Sequence, residues 1–215
     1  MKLKKCANKP PTSNEEILTM QMENGMQNRG LLIVVSGFSG VGKSTVISKM
    51  FQKMPNLRFS VSCTSRKPRK GEQEGVDYYF VTEDEFVKKA DSDEFVEYTR
   101  TFTNCYGTLK CEVENKRNQG YDVLLDINSV GAMNIKKVYP DCVTIFINPP
   151  SLEELKKRLI GRGSETPDSL KKRLDEIEFE RKSIPYYDFV VINDVAEDCA
   201  DKIVNYLEQR RAQIK

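Results

Sequence analysis

The stretch "GFSGVGKST", Gly37 to Thr45, follows the apolar run "LLIVVS" without a break and leads into "VISKMFQKM". From Gly37 to Ser44 it fits the spacing G-x-x-x-x-G-K-[ST], between a predicted strand and a predicted helix over 43–53, the context that gives the pattern its physical meaning. Glycines in such a turn let successive backbone N–H groups face phosphate oxygens, and the helix N-terminus adds partial positive charge. The expected ATP contacts are therefore Gly37, Ser39, Gly40, Val41, Gly42, Lys43, Ser44 and Thr45. Lys43 is expected to bridge the β- and γ-phosphates, and Ser44 to ligate Mg²⁺. Asp126, ending the run "DVLLD", is placed like the acidic partner of the metal and its waters, although spacing alone equally allows a solvated strand-end carboxylate.

The rest of the chain supports a layered fold. The runs "LLIVVS", "DVLLDI" (122–127), "CVTIFI" (142–147) and "DFVVI" (188–192) are almost continuously apolar, as strands covered on both faces must be. Helical patterns fall at 43–53, 129–138, 151–160, 168–182 and 196–211. Ser151 with Glu154 forms a capping-box pair, and Thr166 before Pro167 fits an N-cap followed by proline at the first helical position. The expected fold class is α/β, a P-loop three-layer core with a parallel sheet. Between the first helix and "DVLLDI" the texture changes at "RFSVSCTSRKPRKGEQEGVDYYFV" to short alternating strands, a small helix opening at Thr82 with Glu85 as capping partner, and clustered Arg and Tyr. That texture predicts an inserted α+β lobe, and "GRGSETPDS" (161–169) predicts a short lid.

Residues 1–29 show no strand or buried-helix periodicity beyond a short helical pattern near Glu15 to Met22, and are expected to form a flexible extension. A folded domain is expected over 30–211, with core segments 30–60, 117–160 and 184–211, the lobe at 61–116 and the lid region at 161–183.

Composition removes several classes of chemistry. The chain has 215 residues, of which 34 Lys and Arg nearly balance 32 Asp and Glu, which argues against a bulk nucleic-acid binder. It contains no histidine, so Ser-His-Asp and Cys-His nucleophiles and histidine bases are unavailable. Cys6, Cys63, Cys105, Cys111, Cys142 and Cys199 form no C-x-x-C pair and read as reduced thiols. No apolar run approaches the roughly 20 residues that span a bilayer, so no membrane partner is expected. The extension is acidic at Glu15, Glu16 and Glu23, unlike a transit peptide, and a cytoplasmic protein is expected.

A phosphate loop is common to ATPases, GTPases and small-molecule kinases, so the acceptor must be read from the lobe. There the pieces "FSVSCTSRKPRKGEQEGVDYYFV", "EFVEY", "YGT" and "DI", followed by "PPSLEELKKRLIGRGSET" and "VIND", keep the order and spacing of one family. Together with "SGFSGVGKST" the sequence resembles guanylate kinase, a nucleoside monophosphate kinase that converts GMP and ATP to GDP and ADP, over most of Gly30 to Arg211. The resemblance implies that Arg66, Arg69, Tyr78 and Tyr106 hold the GMP phosphate, a role suited to guanidinium forks and phenol hydroxyls. It implies that Ser62, Glu97 and Thr108 meet the guanine base, with Asp126 and Asn128 on the same side. Guanine offers N1–H and N2–H₂ as adjacent donors, so one carboxylate accepts both, and Glu97 is the expected specificity residue. Arg158, Arg162 and Arg173 correspond to family arginines at ATP and the transferring phosphoryl group, and Asn193 to a residue at the adenine ring.

The sequence departs from the family pattern in three places. Phe38 replaces a proline after the first loop glycine, Cys63 stands where serine is frequent, and Asn128 replaces an acidic residue that assists guanine binding. Scaffold relatives that have lost catalysis generally lack an intact phosphate loop, whereas Gly37, Gly42, Lys43 and Ser44 are all present. The expected substrates are GMP, dGMP and ATP with Mg²⁺, and the expected state is a monomer, with an oligomer left open.

Overall fold

The computed structural model describes residues 29–100, 104–160, 177–178 and 180–214. The central sheet is built on β1 (Leu32–Gly37), whose six residues are all buried. It has five parallel strands in the order β2 (Leu57–Phe59), β7 (Asp122–Asp126), β1, β8 (Val143–Asn148), β9 (Phe189–Ile192). β7 and β8, directly beside β1, are nearly as buried, which is why their sequences run apolar without alternation. β9 differs from its expected double coverage. It lies at the sheet edge and leaves Val190 and Ile192 exposed, so its apolar run alternates in burial.

The helices α1 (Lys43–Lys53), α4 (Ser129–Val138), α5 (Leu152–Ile160) and α6 (Ala196–Ile214) fall where periodicity placed them. At α5 only half of the expected capping box forms. Ser151 Oγ accepts from Glu154 N at 3.1 Å, but the Glu154 carboxylate accepts from Arg158 Nε at 3.1 Å instead of reaching back. The Thr166–Pro167 cap, most of the 168–182 helix and the pattern near Glu15 to Met22 lie outside the described residues.

Two elements had no counterpart in the sequence reading. β2 is three residues long at the other sheet edge, too short to show a period. α3 (Lys110–Asn118) is polar except for one stripe, burying only Val113 and Arg117. Val113 belongs to the main apolar cluster with β1 and β7, while Arg117 Nε donates to Gly30 O at 2.9 Å and ties the helix to the start of β1.

The lobe is a second sheet of four strands, ordered β4 (Tyr78–Phe80), β3 (Ser62–Thr64), β6 (Cys105–Leu109), β5 (Phe95–Arg100). The small helix α2 (Glu83–Asp91) opens with the expected reciprocal capping box between Thr82 and Glu85. Its Phe86 stacks on Phe95, ring centroids 4.5 Å apart, in a separate small core with Cys63, Cys105 and Leu109. Among the described residues no helix is long and apolar enough to cross a membrane. Cys63, Cys105, Cys111, Cys142 and Cys199 are all free thiols.

Candidate functional site

The C-terminal ends of β1 and β7 meet where the chain passes into the glycine loop. Gly42 sits there at φ 93°, the left-handed region that a β-carbon disfavours. A side chain at 42 would also meet Asn193 Nδ2 at 2.7 Å. Asn193 is buried, and its Nδ2 donates to Val41 O at 2.8 Å, so it holds the loop from beneath. Arg158 joins the same anchor, with one terminal nitrogen donating to Asn193 O at 3.1 Å and to Val41 O at 3.4 Å. Asn193, expected at the adenine ring, thus contacts the loop backbone, while its own Oδ1 finds no hydrogen-bond partner among the described residues.

Lys43, first in α1, donates to Gly37 O at 3.2 Å and lies 3.6 Å from Asp126 Oδ1. Parallel register sets this pair, because Val35 of β1 stands opposite Asp126 of β7. Burial pushes the Asp126 carboxyl above its usual range, and the Lys43 ammonium opposes that rise. Ser44 and Thr45 are exposed in the first turn of α1, beside the loop.

Between the lobe and the C-terminal end of β7 lies a cavity of about 340 Å³. On one wall are Ser62, Tyr78, Glu97, Thr99, Tyr106 and Gly107 of the lobe, and on the other Asp126, Ile127 and Asn128 of the core. A register shift between Phe95 and Glu97 makes this possible, since an extra residue in a strand re-aims the side chains that follow. Phe95 then enters the lobe core, Val96 the main core and Glu97 the cavity. Glu97 is 9% exposed and its Oε1 accepts from Thr108 Oγ at 2.9 Å. Burial raises its carboxyl, and Thr108 partly offsets this.

At the phosphate end, Arg66 Cζ lies 5.3 Å from the Tyr78 ring centre, and the Tyr78 and Tyr106 rings meet edge to face at 6.1 Å. The Arg66 fork is held by Glu72, each terminal nitrogen donating to one carboxylate oxygen at 2.9 Å. Arg69 contributes its backbone N–H to the same carboxylate at 2.7 Å, while its side chain is exposed. The Arg66 guanidinium, with the Arg69 amide, holds the Glu72 carboxyl down to about 2. Sequence reasoning missed Glu72, which follows no helical or strand period. It also missed Thr99, which the period of two from Glu97 would have found. Arg162 and Arg173 lie outside the described residues.

A parallel sheet feeding a glycine loop into a helix, with a second sheet walling one side of a cavity beside it, is the arrangement of a P-loop phosphotransferase. The family model for guanylate kinase matches residues 29–210, and the chain belongs to the guanylate kinase family. It is 43% identical to a guanylate kinase of Clostridium perfringens over 187 residues, covering 87% of both chains. A guanylate kinase of Thermotoga maritima is 38% identical over 186 residues, covering 86% of this chain and 90% of its own. Among solved structures, guanylate kinase from Anaplasma phagocytophilum superposes with a TM-score of 0.67 at 35% identity, covering 85% of this chain and 87% of its own.

Proposed function

We propose that this chain transfers the γ-phosphoryl group of ATP to GMP, and to dGMP, giving ADP and the guanosine diphosphate. The observation that carries this reading is Glu97, a buried carboxylate whose Oε1 accepts from Thr108 Oγ, in a cavity whose core wall includes Asp126, 3.6 Å from Lys43 of the phosphate loop. Guanine's two adjacent donors satisfy such a group. Adenine's N1 lone pair repels it. Ser62 and Thr108 complete the base side, with Asp126 and Asn128 opposite.

Arg66, Arg69, Tyr78 and Tyr106 hold the acceptor phosphate, and the loop residues with Lys43 hold those of ATP. A phosphate monoester has its second pKa near ~6, so the attacking oxygen is ionised at neutral pH and no base is required. Catalysis is then alignment and charge stabilisation, by Lys43 at the transferring group and by Arg158, Arg162 and Arg173 from the lid side. Closure of lobe and lid excludes water from the γ-phosphate. The exposed Ser44 hydroxyl and the Asp126 carboxylate are hard oxygen donors of the kind that suits Mg²⁺, and they would hold it directly or through water. When bound, the ion neutralises phosphate charge. The buried thiols Cys63, Cys105, Cys142 and Cys199 fit a reducing cytoplasm, and the enzyme acts as a monomer on small molecules.

The test is ATP-dependent phosphorylation of GMP, dGMP, AMP, IMP, UMP and CMP in parallel. GMP and dGMP should dominate, and a preference for AMP or a pyrimidine nucleotide would overturn the base assignment.

A further inference from the structure

Asp126, Ile127 and Asn128, which lead into α4, line the cavity from the core side, and the third residue of the helix is a glycine that makes no turn. Gly131 is buried and helical, and it is absent from the glycines with positive φ, so its backbone suits any residue. Inside a helix glycine is a poorer former than alanine, which calls for a reason in the surroundings. A β-carbon at 131 would meet Glu97 Oε2 at 3.1 Å, Ile127 Cδ1 at 3.2 Å and Asn128 Oδ1 at 3.5 Å. The closest of these is the carboxylate oxygen other than Oε1, and it is Oε1 that accepts from Thr108 Oγ. The Glu97 carboxylate is therefore held between two surfaces, Thr108 of the lobe and the bare first turn of α4. A helix N-terminus is also where an anion is favoured.

We infer that Gly131 is a positioning residue for base recognition: its missing β-carbon lets the Glu97 carboxylate seat against α4 at the depth and angle from which it accepts both guanine donors. The inference rests on the guanine-pocket reading and identifies the element of the core that sets its fit. It also joins lobe to core, because β5 carries Glu97 and α4 carries Gly131, which is the contact through which lobe position and base fit are linked.

The experiment is a double-mutant cycle of Gly131→Ala and Glu97→Asp, read as KM for GMP, KM for ATP and melting temperature. Gly131→Ala should raise KM for GMP several-fold and leave KM for ATP unchanged. Its melting temperature should not fall, because the helix gains a better former. In the Glu97→Asp background the shorter carboxylate makes room, so adding Gly131→Ala should raise KM for GMP no further. Additive penalties, an equal rise for both nucleotides, or no rise for GMP would each overturn the inference. So would a Gly131→Ala chain that fails to fold and is not rescued by Glu97→Asp. A wild-type enzyme that shows no preference for GMP would instead sink the pocket reading, and this inference with it. Strong GMP preference with an additive cycle would sink the inference alone.

Discussion

The two halves of the site are built from different materials. The phosphate-loop side is mostly backbone, carried by the fully buried β1 and pinned through Val41 O by Asn193 and Arg158, with Lys43 directed at Asp126. The lobe side is made of side chains on a thin sheet, held by pairwise contacts such as Arg66 with Glu72 and Glu97 with Thr108. Its own apolar core is a small cluster around Phe86 and Phe95. Backbone cradles accept many phosphorylated ligands, because every residue offers the same N–H. Discrimination therefore falls to the lobe, where single substitutions should change the substrate while the fold persists.

The largest effect is expected on the backbone-built side, at Lys43. Lys43→Met keeps the fold, since the ammonium is directed at Asp126 and Gly37 O outside the core. Turnover should drop by two or more decades, on the order of 3 kcal/mol, as for removal of one preorganised electrostatic donor. Near-normal turnover by folded Lys43→Met would erase the contrast between the halves.

Next comes Glu97→Gln, which replaces a carboxylate oxygen with an NH₂ facing a guanine donor. KM for GMP should rise by about one to two decades while KM for ATP stays put, the cost of opposing buried donors being about 1–3 kcal/mol. Equal effects on both nucleotides would mean that Glu97 supports the lobe rather than reads the base.

Glu72→Gln should act more gently, because Arg66 keeps its charge and loses only the carboxylate that aims it. A several-fold rise in KM for GMP with unchanged kcat is expected. The pH dependence follows from the sign of the shift. Glu72 is lowered from 4.5 to about 2, so its clamp is complete above 4.5 and is lost as pH falls through about 2. The difference between wild type and Glu72→Gln should therefore be flat with pH across the neutral range, and a slope there would assign the clamp to another group.

The same division explains what was legible in the sequence. The phosphate loop, the buried strands β1, β7 and β8 and the lobe's capping box are local patterns, set by spacing within a few residues of chain, and the fold presents them as read, whereas β9 lies at the edge. Family motifs extended the reading to Glu97 and the Arg and Tyr cluster. What stayed hidden depends on contacts across the fold. Glu72 acquires its role from a turn that brings it to Arg66, Gly131 from a β-strand packed on its helix, and Asn193 from lying under Val41. None of these has a period. α3 escaped because a helix that buries two residues shows almost no apolar stripe.

The smallest effect, and the sharpest probe of the lobe–core boundary, is expected at Asn128. Its side chain caps α4, with Oδ1 accepting from Gly131 N at 2.9 Å, and the residue also lines the cavity. One lone pair of the oxygen is committed to the cap, and the second can still accept from guanine N2–H₂ as a neutral acceptor. Asn128→Asp keeps the cap, since Asp and Asn serve equally at that position, and adds an anion where the helix N-terminus favours one. It also turns a neutral acceptor into a charged one. A charged acceptor is worth about 1.5–3 kcal/mol against about 1 for a neutral one, so the gain for GMP is about 1 kcal/mol before repulsion is counted. Repulsion comes from Glu97, whose carboxyl burial already pushes up, and from Asp126 on the same wall. The net expectation is a few-fold lower KM for GMP, a smaller change for IMP, which lacks the 2-amino group, and none for AMP. A gain shared by IMP and GMP alike would show that residue 128 acts through helix α4 and not through the base.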